Sequence, residues 1–299
     1  MDDYDIIIPV YQRTGIESQI YRIKKLNRPP SNIIVVDGGS NLPETIKELI
    51  NITKKSLAKI LIHPEKPNRS KLINAGAKSI KSPYILISDC DIEWTDEAIG
   101  KMLEQAKTGA VCHTELVIDS EKNEEADILY RIGYKIHRRN KNKSVFDFEI
   151  HPVLANKKMR EGPGLVLISS DSFFRTGGLL EDLFGWGWED QDFLIRCTLA
   201  NLKIKKAGKV WHCTNYKEEY RNWGLNLPTK ISRLNNLIKS ATRMSKGNFR
   251  GSVDHPLNNG TAFPCDLKFN FDLMHSAQAL APYFSEWHSL SMQLRDRTS

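Results

Sequence analysis

The feature that most constrains this chain is an alternation in its first ninety residues. Four short apolar runs stand at 6–10 (IIIPV), 32–36 (NIIVV), 58–62 (AKILI) and 84–88 (YILIS). Between them lie stripes at helical spacing: Ile16, Ile20 and Ile23; then Ile46, Leu49 and Ile50 behind Pro43; then Leu72, Ile73, Ala77 and Ile80. Short continuous apolar strands alternating with helices build mostly parallel sheets, because each crossover lays a helix on a sheet face. The expected class is α/β with both faces covered. The pattern continues with Thr95 as an N-cap, Asp96 and Glu97 in the first turn, and an apolar face of Ile99, Met102, Leu103 and Ala106. A strand is expected at 164–168, a helix at 190–200 and a last strand at 207–213. Residues 119–145, densely charged, read as a surface helix and loop, and 247–265, rich in Gly, Asn and Pro, as loop.

Composition serves to exclude. Of 299 residues, 40% are hydrophobic and 26% charged, which rules out a disordered chain, a collagen repeat and a coiled-coil rod. No stretch approaches the roughly 18 uncharged apolar residues of a membrane span. The acidic start, MDDYD, lacks a basic n-region, so no secretory signal is expected. Cys90, Cys112, Cys197, Cys213 and Cys265 are odd in number, scattered and without a CxxC pair, which argues for reduced thiols in a cytoplasm over a disulfide framework or zinc site. Net charge is +7, and it is uneven: the first 200 residues hold 28 Lys/Arg against 29 Asp/Glu, the last 99 hold 15 against 7. An anionic partner of that last third is expected, whether phosphate-bearing substrate, anionic membrane or nucleic acid.

Two acidic motifs carry the chemistry. The fourth strand ends Ser88-Asp89-Cys90-Asp91. Ligands of open α/β sheets bind beyond the carboxyl ends of the strands, and two carboxylates there can hold a hard divalent cation together with a substrate phosphate. The bland alternative is a solvated strand end. The second motif is Phe184-Gly-Trp-Gly-Trp-Glu-Asp-Gln-Asp192. Acids in a first helical turn suit the macrodipole on structural grounds alone. Glycines alternating with tryptophans add the expectation of a flexible lid presenting indole rings to a sugar.

These residues resemble a known family, the GT-A fold glycosyltransferases of the family 2 type. IIIPVY at 6–11 is similar to that family's first strand, VVDGGS at 35–40 to its second strand and turn, RSKLINAG at 69–76 to its nucleotide-facing helix, and Asp89–Asp91 to its DxD. The segment 170–178 resembles the one preceding the acceptor site. GWGWED resembles the WGGED signature of β4-galactosyltransferases, chondroitin-type polymerases and polypeptide N-acetylgalactosaminyltransferases. The resemblance spans about residues 4–215. It implies a Rossmann-like catalytic domain over 1–216 and a basic helical C-terminal extension over 217–299.

The roles the resemblance implies are as follows. Pro9, Tyr11 and Arg13 line the nucleotide pocket, Asp37 meets the uracil edge, and Arg69 and Asn74 face nucleotide or phosphates. Asp89 touches ribose or metal; Asp91 and His212 ligate Mn²⁺ (or Mg²⁺), with His113 and His151 as weaker candidates. Asp190 is the catalytic base, Glu189 contacts the acceptor, and Trp186 and Trp188 wall the acceptor site. Trp188 stands where the family usually has Gly, so a narrowed or extended acceptor site is expected. The implied reaction moves a sugar, galactose or N-acetylgalactosamine ahead of glucose and N-acetylglucosamine, from a UDP-sugar to a hydroxyl of a glycan or lipid-linked glycan, with inversion, in bacterial surface polysaccharide synthesis. A cytoplasmic protein is expected. The basic stretch 230–243 is either a packed helix or a peripheral contact with the anionic inner face of a membrane. The competing classes are a nucleotidyltransferase, for which the Pro9–Gly15 stretch is a poor phosphate loop, a nucleic-acid binder using Tyr216, Tyr220, Trp223 and Phe249, which lack a recognised module and are not expected to bind one, and a catalytically dead glycan-binding module.

Overall fold

A computed structural model describes residues 3–64, 68–120, 132–138, 146–150, 159–213, 223–260 and 267–270. One eight-stranded mixed sheet organises them. Its strands are β1 (Tyr4–Val10), β2 (Asn32–Asp37), β3 (Lys59–Ile62), β4 (Tyr84–Ile87), β5 (Ile92–Glu93), β6 (Val111–Asp119), β9 (Met159–Ser169) and β10 (Ile204–His212), in the order β3-β2-β1-β4-β9-β6-β10-β5. The first four expected strands are present, and β1 pairs in parallel with both β2 and β4. Strand order reverses at β1, so the carboxyl ends of β1, β2 and β4 open a crevice at a topological switch point. The β9 strand runs antiparallel to β4 and β6. This is the α/β, GT-A-type sheet that the resemblance implies.

The helices are α1 (Ile16–Lys24), α2 (Pro43–Lys54), α3 (Arg69–Ala77), α4 (Asp96–Lys107), α5 (Ser170–Arg175), α6 (Glu189–Leu199) and α7 (Thr229–Ser245). They cover the sheet on both faces. Ile6, Ile8 and Val10 point to one buried cluster with Ile16, Ile20, Ile52, Ile99 and Met102. Ile7, Ile34 and Val36 point to the other, with Leu72, Ile73, Phe173, Phe193 and Leu194. Because every residue of β1 is buried, alternate side chains feed both layers, and the run reads as continuously apolar rather than alternating. Thr95 does cap α4, its hydroxyl accepting from the Ala98 amide.

Of the stretch 119–145, expected to be surface helix and loop, 132–138 are strand, while 121–131 and 139–145 lie outside the described residues. Residues Ile132–Arg138 form β7, which pairs antiparallel with β8 (Phe146–Ile150) and β11 (Leu267–Asn270) in a separate three-stranded sheet. Ile132, Tyr134 and Ile136 stand at alternate positions, a period-two signal hidden among many charges. The expected loop at 247–265 contains a short 3-10 turn at Pro256–Gly260. His151, Tyr216, Tyr220 and Cys265 lie outside the described residues. Among those described, Cys90, Cys112, Cys197 and Cys213 are free thiols, and no helix is long and apolar enough to cross a membrane.

Candidate active site

The crevice begins at the ends of β1 and β2. Pro9 is buried in β1 and Tyr11 sits just past it, half-buried, its ring stacked on Trp223 at 5.9 Å between centroids. Asp37 closes β2, but its carboxylate is engaged by its own turn. Oδ2 accepts from the Gly39 and Ser40 amides at 3.0 Å, and Oδ1 from the Ser40 hydroxyl at 2.5 Å. Ser40 in turn accepts from the Gln12 amide at 2.8 Å, tying the two strand ends together.

At the end of β4 the two aspartates diverge. Asp91 Oδ2 lies 3.2 Å from His212 Nε2, while Asp89 Oδ1 accepts from Arg69 Nε at 2.9 Å. His212 is brought there by β10, which pairs in parallel with β6 and antiparallel with β5. That register sets Asp119 beside His212, and His212 Nδ1 donates to Asp119 Oδ1 at 2.7 Å. Asp119 Oδ2 also lies 3.5 Å from Arg160 Nε. Burial works against charge on His212, but hydrogen bonds to Asp119 and Asp91 outweigh it and carry its pKa up to about 9. Burial likewise opposes ionisation of Asp91, and the hydrogen bond and charge of His212, then Arg13, hold its carboxyl below the usual range.

The expected three-ligand set of Asp89, Asp91 and His212 is not assembled, since Asp89 turns to Arg69. Among the described residues no group of three or more His, Cys, Asp or Glu side chains can hold a metal alone. The Asp91–His212 pair nevertheless suits a cation that takes its other ligands from substrate. Two atoms each about 2.1 Å from one ion and about 90° apart lie about 3.0 Å from each other, close to the distance seen. A carboxylate on the far ring nitrogen is the usual outer partner of a metal-ligating imidazole, and Asp119 supplies it. His113 is no part of this corner: it is buried in β6, with Nδ1 3.1 Å from the Thr114 carbonyl.

The second acidic motif starts α6. Glu189 Oε1 lies 3.8 Å from Arg69 Nη1, and its Oε2 is buried with no hydrogen-bond partner among the described residues. Burial, then repulsion from Asp190, push the Glu189 carboxyl up to about 7, against the pull of Arg69. Burial also raises Asp190, opposed by Arg69 and, further down, by Arg233. Asp190 Oδ1 accepts from the Gln191 amide at 2.8 Å. Arg69 completes its fork by donating from Nη2 to the Gly164 carbonyl at 2.7 Å. One guanidinium therefore joins the strand-end acids to the helix-start acids, two groups a hundred residues apart in sequence. It stays charged despite burial because Asp89, Glu189 and Asp190 surround it.

Two expected site residues serve the scaffold instead. Asn74 is fully buried, its side-chain amide donating to the Leu179 carbonyl and Glu181 Oε1, its oxygen accepting from the Leu179 amide. It faces no crevice; it fastens α3 to the 179–181 segment. Trp188 is 0% exposed, so it neither narrows nor extends the acceptor site. At φ 76° it turns the chain into α6 and drives its indole inward. Trp186 faces the other way, 37% exposed, with the Arg233 guanidinium 5.9 Å from its ring centroid. The α7 helix is packed along one face, where Ser232, Asn236, Leu237, Ser240, Ala241 and Met244 are buried. Lys239 and Arg243 turn to Asp182.

Sequence reasoning missed Asp119, Gly164, Ser232, Arg233 and Asn236. Asp119 was findable in principle as an acid ending an apolar strand, as Asp37 and Asp89 do.

The profile of glycosyl transferase family 2 matches residues 5–161. A second profile, the N-terminal domain of galactosyltransferase, matches residues 149–222. No curated protein matches significantly. Among solved structures, the crystal structure of S. aureus TarS is similar over 81% of this chain and 43% of that one, at 13% identity and a TM-score of 0.48. The chain thus spans less than half the length of that relative.

Proposed function

This chain belongs to glycosyl transferase family 2, and we propose that it transfers galactose or N-acetylgalactosamine from a UDP-sugar to a hydroxyl of a glycan acceptor, with inversion. The observation that supports this reading is Arg69, which draws Asp89 and the Glu189–Asp190 pair into one crevice. Glycosyl transfer needs a positive environment for the departing diphosphate and a base for the attacking hydroxyl, close to one another.

Asp190 is the base. Its environment lifts its proton affinity toward the working range, as general base chemistry near neutral pH requires. It takes the acceptor hydroxyl proton while that oxygen attacks the anomeric carbon opposite the leaving nucleotide, which gives a single displacement. Glu189 Oε2, buried and without a partner among the described residues, accepts a hydroxyl of the acceptor sugar. Trp186 offers its exposed ring face to the same sugar. On the donor side, Tyr11 and Arg13 border the nucleotide. Mn²⁺ or Mg²⁺, held by Asp91 and His212, would neutralise charge on the diphosphate. Asp119 keeps the His212 ring oriented for that ligation.

The proposed acceptor is a growing surface glycan of a bacterium, built at the cytoplasmic side, by residues 1–216 with 217–299 as an extension. The test is a donor panel: protein, Mn²⁺ and individual nucleotide sugars, scored for free nucleoside diphosphate with and without glycan acceptors. UDP release from one UDP-sugar supports the reading. Pyrophosphate release, or none from any UDP-sugar, overturns it.

A further inference from the structure

The Gly-Trp-Gly-Trp loop is held by a helix that lies forty residues further along the chain. Ser232 in α7 accepts from the Trp186 amide at 2.8 Å and donates to the Phe184 carbonyl at 3.1 Å. One turn on, Asn236 donates from its side-chain nitrogen to the Phe184 carbonyl at 3.0 Å and to the Gly187 carbonyl at 2.9 Å. Two turns on, the Ser240 hydroxyl donates to Asp192 Oδ1 at 2.6 Å, and Asp192 Oδ2 accepts from Arg196 at 2.7 Å inside α6. Ser232, Asn236 and Ser240 stand four apart and so share one face of the helix. All three are buried. Such a polar stripe is out of place in a helix that merely covers apolar core, because each buried hydroxyl or amide needs a partner. Here the partners are the loop and the helix that carry Trp186, Glu189 and Asp190.

The glycines record the same fit. A Cβ on Gly185 would overlap the Ser232 hydroxyl, and one on Gly187 would meet the Arg233 stem at 3.0 Å. Both also have positive φ, 79° and 90°, where a side chain is strained. Their role is close approach to α7 with a backbone turned to offer its polar groups, rather than freedom to flap.

We propose that Ser232 and Asn236 are positioning residues that clamp the 184–188 loop, and thereby set how Trp186 is presented to the acceptor sugar. The acceptor side of the site is then built jointly by the catalytic domain and α7. The part concerning the acceptor rests on the function proposed above; the clamp itself does not.

The test compares full-length wild type with Ser232→Ala, Asn236→Ala, Ser232→Thr and, as control, Asn235→Ala at an exposed position of the same helix. The first readout is amide hydrogen exchange of the peptide spanning 184–188, which needs no substrate. Exchange faster by tenfold or more in both Ser232→Ala and Asn236→Ala, with the control unchanged and Ser232→Thr restored, supports the clamp. Unchanged exchange in both alanine variants overturns it, whatever turnover does. The second readout uses UDP-galactose and UDP-N-acetylgalactosamine with p-nitrophenyl glycosides as acceptors. An acceptor KM raised about tenfold, with the KM for the UDP-sugar and its hydrolysis rate in the absence of acceptor within twofold of wild type, supports the acceptor role. A parallel fall in all three, or no change in acceptor KM, overturns that role. A wild type that turns over none of these sugars counts against the proposed function, and exchange still decides the clamp.

Discussion

Replacing Glu189 with Gln should change how stability responds to pH more than it changes stability at any one acid pH. The Glu189 side chain is 12% exposed, and its pKa rises from 4.5 to about 7, driven by burial first and by Asp190 second. A carboxyl raised that far binds its proton about 300-fold more tightly folded than unfolded, worth about 3 kcal/mol. The sign follows from the direction. Because the folded pKa is the higher one, the contribution is fully present below pH about 4.5 and is lost as pH climbs through about 7. Wild type should therefore lose about 3 kcal/mol from this group across that window, and Glu189→Gln should lose none of it. Arg69 keeps Asp89 and the Gly164 carbonyl in the variant, so no buried cation is stranded. The assay is urea unfolding of both proteins at intervals from pH 4.5 to 8.5, read as the difference in unfolding free energy. The difference should be smallest at the acid end and move toward favouring the variant as pH rises. Parallel curves would refute the assignment of a raised pKa, and a difference growing toward acid would show that Glu189 is stabilised as an anion.

Asp190→Asn removes the base while keeping shape; transfer should fall by at least about 100-fold, with UDP affinity by calorimetry within twofold. Asp119→Asn leaves both candidate ligands in place but loosens the His212 ring, so Mn²⁺ affinity in the presence of UDP should drop at least about tenfold by titration; unchanged affinity would remove Asp119 from the metal corner. The two tryptophans should separate cleanly. Trp188→Ala opens a buried cavity and should cost about 3–5 kcal/mol in urea unfolding, whereas Trp186→Ala should cost less than about 1 kcal/mol and instead raise acceptor KM.

The inner half of the sheet was readable because each of its strands is a local signal. β1, β2 and β4 are buried on both faces, so their apolar runs are unbroken, and the helices between them carry stripes that need no knowledge of neighbours. The strand-end acids were readable for the same reason: Asp37, Asp89 and Asp91 follow those runs directly. What failed required knowing which distant element lies alongside. The resemblance had marked His212, but its orienting carboxylate depends on β10 lying in register with β6, which pairs residues 93 apart in sequence. Asn74 sits in a helix that faces the crevice at one end, and only the 179–181 segment behind it reveals that its amide is already used.

The Gly-Trp-Gly-Trp motif shows the limit most sharply, because its unusual composition is legible in the sequence and the helix that bonds to it is not. Two indoles in alternation look like two exposed rings. The chain turns into α6 at Trp188 with φ 76°, and the two rings end in different surroundings. Trp188 goes inward and pins the start of α6; Trp186 goes outward over Arg233. The glycines between them let α7 come within hydrogen-bonding reach, so the residues that make the loop look flexible are the ones that allow it to be held. Basic charge on α7 drew attention toward a membrane, while the serines and the asparagine on its buried face, unremarkable by composition, contact the site. Lys239, 44% exposed, and Arg243 both reach back to Asp182, on the segment leading into the loop.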